Sequence, residues 1–317
     1  MSISKLDKQV QKLLKSRAGR DSLKRQFGID VEVTHHPEHH KGKPVVAILC
    51  PTYRNPDPQM RDALGAMVTR SREEGVVVYS GAPVQSSVVH WSRNWLLSEQ
   101  LKSGKPWTHV LFIDDDIVVE PEALLKLLSH KKDIVAGLCT RRNDPPVPNI
   151  RFYDKADGTT RQIWEWPENQ LIEVDSVGTG LMLLTQHAVE QTAQAYFDCL
   201  WEKEFFHIAD DNERIKDLKA VRLSKFDAEK TCYWFRFLPT PKGDIEAGED
   251  IFFCYMARTF CDIPVYVDTS VQPGHLGPYP FGVKDFLPYR DLCIERAKRE
   301  GTYKTQPKLE SEIQVVG

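Results

Sequence analysis

The sequence predicts an α/β fold: a doubly wound, mostly parallel sheet with a smaller mixed β part beside it. Three observations predict this. Between Pro44 and Thr140, short apolar strands alternate with stretches of helical periodicity, the order that builds a parallel sheet covered on both faces. After Thr140 the alternation loosens, and Pro145, Pro146 and Pro148 interrupt it. Finally, the apolar run Leu111-Phe112-Ile113 ends in Asp114-Asp115-Asp116, at the carboxyl end of a strand, where open α/β sheets bind ligands.

The elements follow in order. Val45–Cys50 is an apolar strand, and Pro51–Pro58 is a loop holding three prolines. Asp57–Glu74 reads as a helix with Met60, Leu64, Met67 and Val68 along one face. Gly75 ends it, and Val76–Tyr79 is a strand. Ser86 or Ser87 is expected to cap a helix running to Leu101. Gly104-Lys105-Pro106 breaks the chain before the strand Val110–Ile113. Pro121 opens a helix over Glu122–His130, and Asp133–Cys139 is a strand. Further on, Ile172–Val174, Leu181–Leu184 and Val265–Asp268 read as strands, and Ile251–Thr259 as a helix. Residues 199–247 are long, mixed and aromatic, a kind of segment that is usually functional or mobile.

The chain has 317 residues, 41% apolar and 27% charged, an ordinary globular composition that excludes wholesale disorder. Lys and Arg number 42 against 45 Asp and Glu, a net charge of −3. That balance gives no whole-molecule attraction to nucleic acid or to an anionic membrane. No apolar run approaches the ~18–20 residues of a membrane span. The first residues, MSISKLDKQVQKLLKSR, carry charge throughout and lack the apolar core of a secretory signal. The cysteines at 50, 139, 199, 232, 254, 261 and 293 form no CxxC pair; reduced, mostly buried thiols of a cytoplasmic protein are expected.

Residues 1–43 stand apart, with ten Lys/Arg against five Asp/Glu. Ile3, Leu6, Val10, Leu13 and Leu14 recur at helical spacing, which predicts an amphipathic extension for packing or partner contact. His35, His36, His39 and His40 then flank Pro37 and Glu38, a tract that could bind metal but reads first as a solvated linker, because no Cys or carboxylate spacing supports a defined site.

Chemistry concentrates in three places. Side chains alternate along a strand, so an extended Asp114-Asp115-Asp116 puts Asp114 and Asp116 on one face. Two such carboxylates repel unless a cation lies between them, and a hard divalent ion with oxygen ligands resolves the conflict. Gly248-Glu249-Asp250 opens the later helix, a position that favours carboxylates and can hold a general base on a rigid element. Gly274-His275-Leu276-Gly277 follows the last strand; a His there reads as an accessible turn residue able to complete a metal site with Asp116.

Together these residues resemble the GT-A glycosyltransferases, particularly family 2-like members. The resemblance spans roughly residues 45–277 and rests on Val45-Val46-Ala47-Ile48-Leu49-Cys50-Pro51-Thr52-Tyr53, Ser92-Arg93-Asn94, Phe112-Ile113-Asp114-Asp115-Asp116, Val177-Gly178-Thr179-Gly180, Gly248-Glu249-Asp250-Ile251-Phe252-Phe253-Cys254 and Gly274-His275-Leu276-Gly277. It implies a Rossmann-like sheet divided into a nucleotide-binding half (44–140) and an acceptor and catalytic half (141–285) of one domain, with 286–317 as a tail. It implies transfer of a sugar from a nucleotide diphosphate sugar, by default a UDP-sugar, to an acceptor hydroxyl. Pro51, Thr52, Tyr53, Arg93, Asp114, Asp115, Gly178 and Gly180 would then line the donor. Asp116 and His275 would hold a divalent metal, Mn2+ or Mg2+. Asp250, next to Glu249, would be the base, an arrangement that favours inversion. The middle residue of the D-x-D motif is small in typical members, whereas Asp115 stands here.

The acceptor stays open among saccharide, small molecule, protein and modified nucleic acid. Trp164, Trp166, Trp201, Tyr233 and Trp234 are candidates to stack on it, although large aromatics more often pack. Arg141 and Arg142, directly after a strand end, could meet phosphate or lie solvated. Two other classes compete. A nucleotidyltransferase shares an acidic site on an α/β sheet but is expected to carry a glycine-rich phosphate loop, and neither GxxxxGK[ST] nor GxGxxG occurs. A non-catalytic module that recognises sugar or nucleotide would have no use for a base at Asp250.

Overall fold

The computed structural model describes residues 42–52, 56–80, 84–142, 145–154, 159–196, 232–239, 245–277, 282–304 and 311–312. The N-terminal helix, the histidine tract and most of the 199–247 segment expected from sequence lie outside these residues. The central sheet has eight strands. In chain order they are β1 (Val45–Leu49), β3 (Val77–Ser80), β5 (His109–Ile113), β7 (Ile134–Gly137), β10 (Leu171–Val174), β12 (Leu181–Thr185), β15 (Val265–Asp268) and β17 (Ser311–Glu312). Their spatial order is β17-β10-β15-β7-β12-β5-β1-β3. Six of the eight run one way, and β10 and β12 run against them. The parallel sheet expected from βα alternation is therefore mixed in its second half, where short connections replace helical crossovers.

The smaller strands frame one end of this sheet. Pro51–Thr52 (β2) pairs with Val84–Gln85 (β4), and Ile117–Val118 (β6) pairs with Gly274–His275 (β16). Ile150–Asp154 (β8) lies between Thr159–Gln162 (β9) and Ser176–Val177 (β11) in a separate three-stranded sheet. Leu238–Pro239 (β13) pairs with Ile245–Ala247 (β14).

Alternate side chains of β1 and β5 feed two cores. Ala47, Leu49, Val110 and Phe112 face one side; Val46, Ile48, Leu111 and Ile113 face the other. Burial on both faces explains why these strands read as unbroken apolar runs. On the second side lie α1 (Pro58–Glu73) and α3 (Ala123–Ser129). Asp57 caps α1 by accepting the Gln59 N–H at 2.8 Å, with Pro58 at the first helical position. On the first side lie α2 (Val89–Lys102), α4 (Gln186–Ala195) and α5 (Glu249–Cys261). The expected serine cap of α2 is displaced: Val88 holds the cap position, and its N–H donates to Ser86 Oγ at 3.1 Å. The chain closes with α6 (Val283–Phe286) and α7 (Arg290–Arg299) before β17.

Asn94, buried on α2, donates to the Phe235 carbonyl at 2.7 Å and accepts its N–H at 2.9 Å, pinning that segment to the core. Cys50, Cys139, Cys232 and Cys254 are buried thiols outside any disulfide. Burial pushes the Cys50 and Cys254 thiols up to about 12. Among the described residues no helix is long and apolar enough to cross a membrane.

A buried polar lock closes the carboxyl end of β15. Asp268 accepts from His130 Nε2 at 2.8 Å and from the Ser270 N–H at 2.8 Å. Burial pushes the Asp268 carboxyl up, but these hydrogen bonds outweigh it and hold the carboxyl below its ordinary value of 3.8. A depressed carboxylate adds stability above its unfolded value, and that increment is lost as pH falls through the folded one. Asp268→Asn is expected to cost about 1.5–3 kcal/mol at pH 7. In urea melts, the gap between variant and wild type should narrow below about pH 4; a gap independent of pH would contradict this account.

Candidate functional site

The site is built at the end of β5. The Asp114 N–H donates to the Gly180 carbonyl at 3.1 Å, and the chain then turns, the Ile117 N–H reaching back to the Asp114 carbonyl at 3.2 Å. The extended form expected through Asp116 stops here. The three carboxylates diverge to three partners: Asp114 meets Arg93, Asp115 accepts from the Thr52 hydroxyl, and Asp116 meets His275 and Arg142.

Arg93 is 2% exposed, so it is no helix-surface ion pair. Its Nη2 donates to Asp114 Oδ1 at 2.7 Å, and its Nη1 bonds Glu249 Oε1. One guanidinium thus ties the end of β5 to the first turn of α5. Burial pushes both carboxyls up, with Arg93 pulling against it in each. Glu249 thus acts as a strut through its Oε1.

Asp116 Oδ1 lies 3.2 Å from His275 Nε2, and its Oδ2 lies 2.8 Å from Arg142 Nη1. His275 is not in an open turn: with Gly274 it forms β16, antiparallel to β6, so the backbone sets it beside the strand-end acids. Its Nδ1 faces the Thr140 carbonyl at 2.7 Å, and the Leu276 N–H donates to the Asp116 carbonyl at 2.7 Å. Burial pushes the His275 imidazole down, but the two acceptors outweigh it and the net direction is up. Burial likewise pushes Asp116 up, and His275 and Arg142 bring it below the usual carboxylate range.

The donor set fits a hard divalent ion. A carboxylate oxygen and an imidazole nitrogen 3.2 Å apart match adjacent ligands on an ion with bonds of about 2.1 Å. The Thr140 carbonyl orients the ring from behind, as carbonyls do for metal-binding imidazoles. Among the described residues no third His, Cys, Asp or Glu joins them. Such a pair suits an ion that completes its shell with phosphate oxygens and water.

Asp250 sits half-buried in the first turn of α5, its Oδ1 accepting the Ile251 N–H at 2.8 Å. Gly248 permits this: a Cβ there would lie 2.9 Å from Asp250 Oδ1. Arg151 on β8 faces Asp250 electrostatically; burial pushes Arg151 down to about 10, Arg141 adding to this and Asp250 opposing it. Gly178 leaves room for Asn149: a Cβ would lie 1.9 Å from Asn149 Nδ2, so that side chain would have to shift. Thr52 and Pro51 are buried in β2, while Tyr53 lies outside the described residues. Of the aromatics, Trp234 is core, its Nε1 donating to the Val189 carbonyl at 3.0 Å, and Trp164 and Trp166 stack on Phe286. Tyr233 is 49% exposed, and Trp201 lies outside the described residues. Sequence reasoning missed Arg151 and Asn149; the available signal was a charge inside the apolar strand Ile150-Arg151-Phe152.

No family model matches the chain, and neither does any curated protein sequence. Among solved structures it is similar to A197 from STIV, at 12% identity and TM-score 0.38, over 74% of this chain and 86% of that one. It is also similar to a glycosyltransferase involved in the glycosylation of the major capsid of PBCV-1, at 12% identity and TM-score 0.28, over 56% and 77%. A third is glucosyl-3-phosphoglycerate synthase from Mycobacterium tuberculosis, at 13% identity and TM-score 0.26, over 50% and 64%.

Two outcomes check this geometry. Arg93→Met should cost about 3–5 kcal/mol in urea melts, because it strands two part-buried carboxylates. Adding Asp114→Asn and Glu249→Gln should return part of that loss. Gly178→Ala should cost about 1–3 kcal/mol by overpacking, and Asn149→Ala in the same chain should relieve it; an unrelieved loss would place the strain elsewhere.

Proposed function

We propose that the protein is a metal-dependent glycosyltransferase of GT-A type, similar to family 2, that moves a sugar from a nucleotide diphosphate sugar, by default a UDP-sugar, to an acceptor hydroxyl with inversion. One observation carries the reading: the buried Arg93 bridge fastens the strand end bearing Asp116 to the helix start bearing Asp250, with His275 hydrogen-bonded beside Asp116.

Asp116 and His275 would hold Mn2+ or Mg2+. When bound, the ion supplies positive charge to the leaving diphosphate as a Lewis acid. His275 must give up its Nε2 proton to serve as a ligand, while its Nδ1–H stays on the Thr140 carbonyl. Thr52, Asp115 and Asp114 line the nucleotide side of the strand end, and Gly178 and Gly180 keep side chains out of the sugar's path. Arg142, half-exposed on Asp116, is placed to turn towards phosphate. Asp250 Oδ1 is tied to a backbone N–H, so its second oxygen takes the acceptor's proton from the face opposite the departing diphosphate.

The test is nucleotide release from a panel of UDP- and GDP-sugars with MnCl2, water serving as acceptor. Asp116→Ala should abolish metal-dependent turnover and metal-linked donor binding. Asp250→Asn should keep donor binding and lose about 10²–10⁴-fold in turnover. Full activity with an ordinary metal response in Asp116→Ala would remove the metal site. Binding of a donor without turnover in the wild-type protein would favour the non-catalytic module.

A further inference from the structure

A cleft of about 510 Å³ lies between α5 and the small β8–β9–β11 sheet, away from the carboxylate cluster. Ile251, the residue after Asp250, lines one end, and Asp262, at the far end of α5, lines the other. Ile251, Tyr255, Arg258 and Asp262 fall on one face of the helix, a wall about 16 Å long at 1.5 Å per residue.

The lining has two characters. Tyr153 and Tyr255 present ring surface at 39% and 37% exposure. Phe260 holds the Tyr255 ring edge-on at 5.8 Å, so this platform is set before anything binds. The polar wall is equally fixed. Arg258 Nη1 donates to Glu173 Oε1 at 2.8 Å and its Nε pairs with Asp175 Oδ1 at 2.9 Å. Asp175 Oδ2 also accepts the Tyr153 N–H at 2.6 Å.

Ser176 is the independent pointer. It lines the cleft at 2% exposure, and its Oγ has no hydrogen-bond partner among the described residues. A buried hydroxyl is costly to leave unpaired, and here the residue that carries it lines a cleft. Among the described lining residues, Glu173, Asp175 and Asp262 outnumber Arg258, a negative balance that disfavours phosphorylated chains and nucleic acid. A neutral polyhydroxyl ligand with apolar ring faces matches all three features: faces on the tyrosines, hydroxyls on the carboxylates and on Ser176.

We infer that this cleft binds a neutral oligosaccharide, holding the part of an acceptor chain remote from the reacting hydroxyl. The inference rests on the reading of Asp250 as the base, because Ile251 places the cleft's end next to that carboxylate. Binding to such a remote subsite is how an enzyme spends substrate affinity on positioning the reacting group.

The test is direct binding by calorimetry to tri- to pentasaccharides of glucose, mannose, galactose and N-acetylglucosamine, with spermidine and tetralysine as charge controls. At least one oligosaccharide should bind, lengthening from three to four units should tighten it, and Asp116→Ala should leave it unchanged. Tyr255→Ala should weaken it at least tenfold, Tyr255→Phe should restore most of the loss, and Ser176→Ala should weaken it about threefold to tenfold. Thermal melts confirm that each variant folds. No binding across the panel, binding only of the two cations, or indifference to both Tyr255→Ala and Ser176→Ala would overturn the inference. Oligosaccharide binding without turnover of any nucleotide sugar would instead sink the transferase reading and leave the cleft standing.

Discussion

One ion network holds the two halves of the site in register. Arg93, nearly inaccessible on α2, joins Asp114 and Glu249, which are 135 residues apart in the chain. Taking a guanidinium and two carboxylates out of water is unfavourable unless the geometry is good, and a lone member of the set would be worse than none. The arrangement is therefore all or nothing: strand end, central helix and helix start either meet in this way or the interior holds an unpaired charge. What depends on that agreement is the placing of Asp250, which lies two residues after Gly248 and whose Oδ1 accepts the Ile251 N–H.

A second agreement comes from the backbone. β6 and β16 are only two residues each, yet their pairing fixes His275 against Asp116, and the Thr140 carbonyl fixes the ring. The Nδ1 side of the imidazole is thus held by a backbone carbonyl that no side-chain substitution removes, while Arg142, on the other oxygen of Asp116, is half-exposed.

Much of this was legible in the residues. The apolar runs of β1 and β5, the Asp57-Pro58 start of α1 and the acid triplet all announced themselves, because local chemistry dictates them. The directions of β10 and β12 were not legible, since a buried strand reads the same whichever way it runs. The divergence of Asp114, Asp115 and Asp116 was hidden for a related reason: alternation holds only while the chain stays extended, and the turn after Ile113 is set by contacts with Gly180 and Leu276, far along the sequence. Arg93 could be placed on a helix but not in the interior; burial of a charge depends on partners that only the tertiary structure supplies. Gly178 carried a turn signal, whereas its actual constraint, Asn149 pressed against it, is a contact between distant loops.

The β6–β16 pair also has a temporal side. Residues 117 and 275 are 158 positions apart, so during synthesis the acid triplet emerges long before the histidine that faces it. A fragment that stops short of residue 275 lacks the imidazole beside Asp116, although Arg93, Thr52 and Arg142 are already present for the three acids. Assembly of the centre is thereby postponed until the chain has passed through nearly all of its core, which makes an assembled centre a mark of a completed fold.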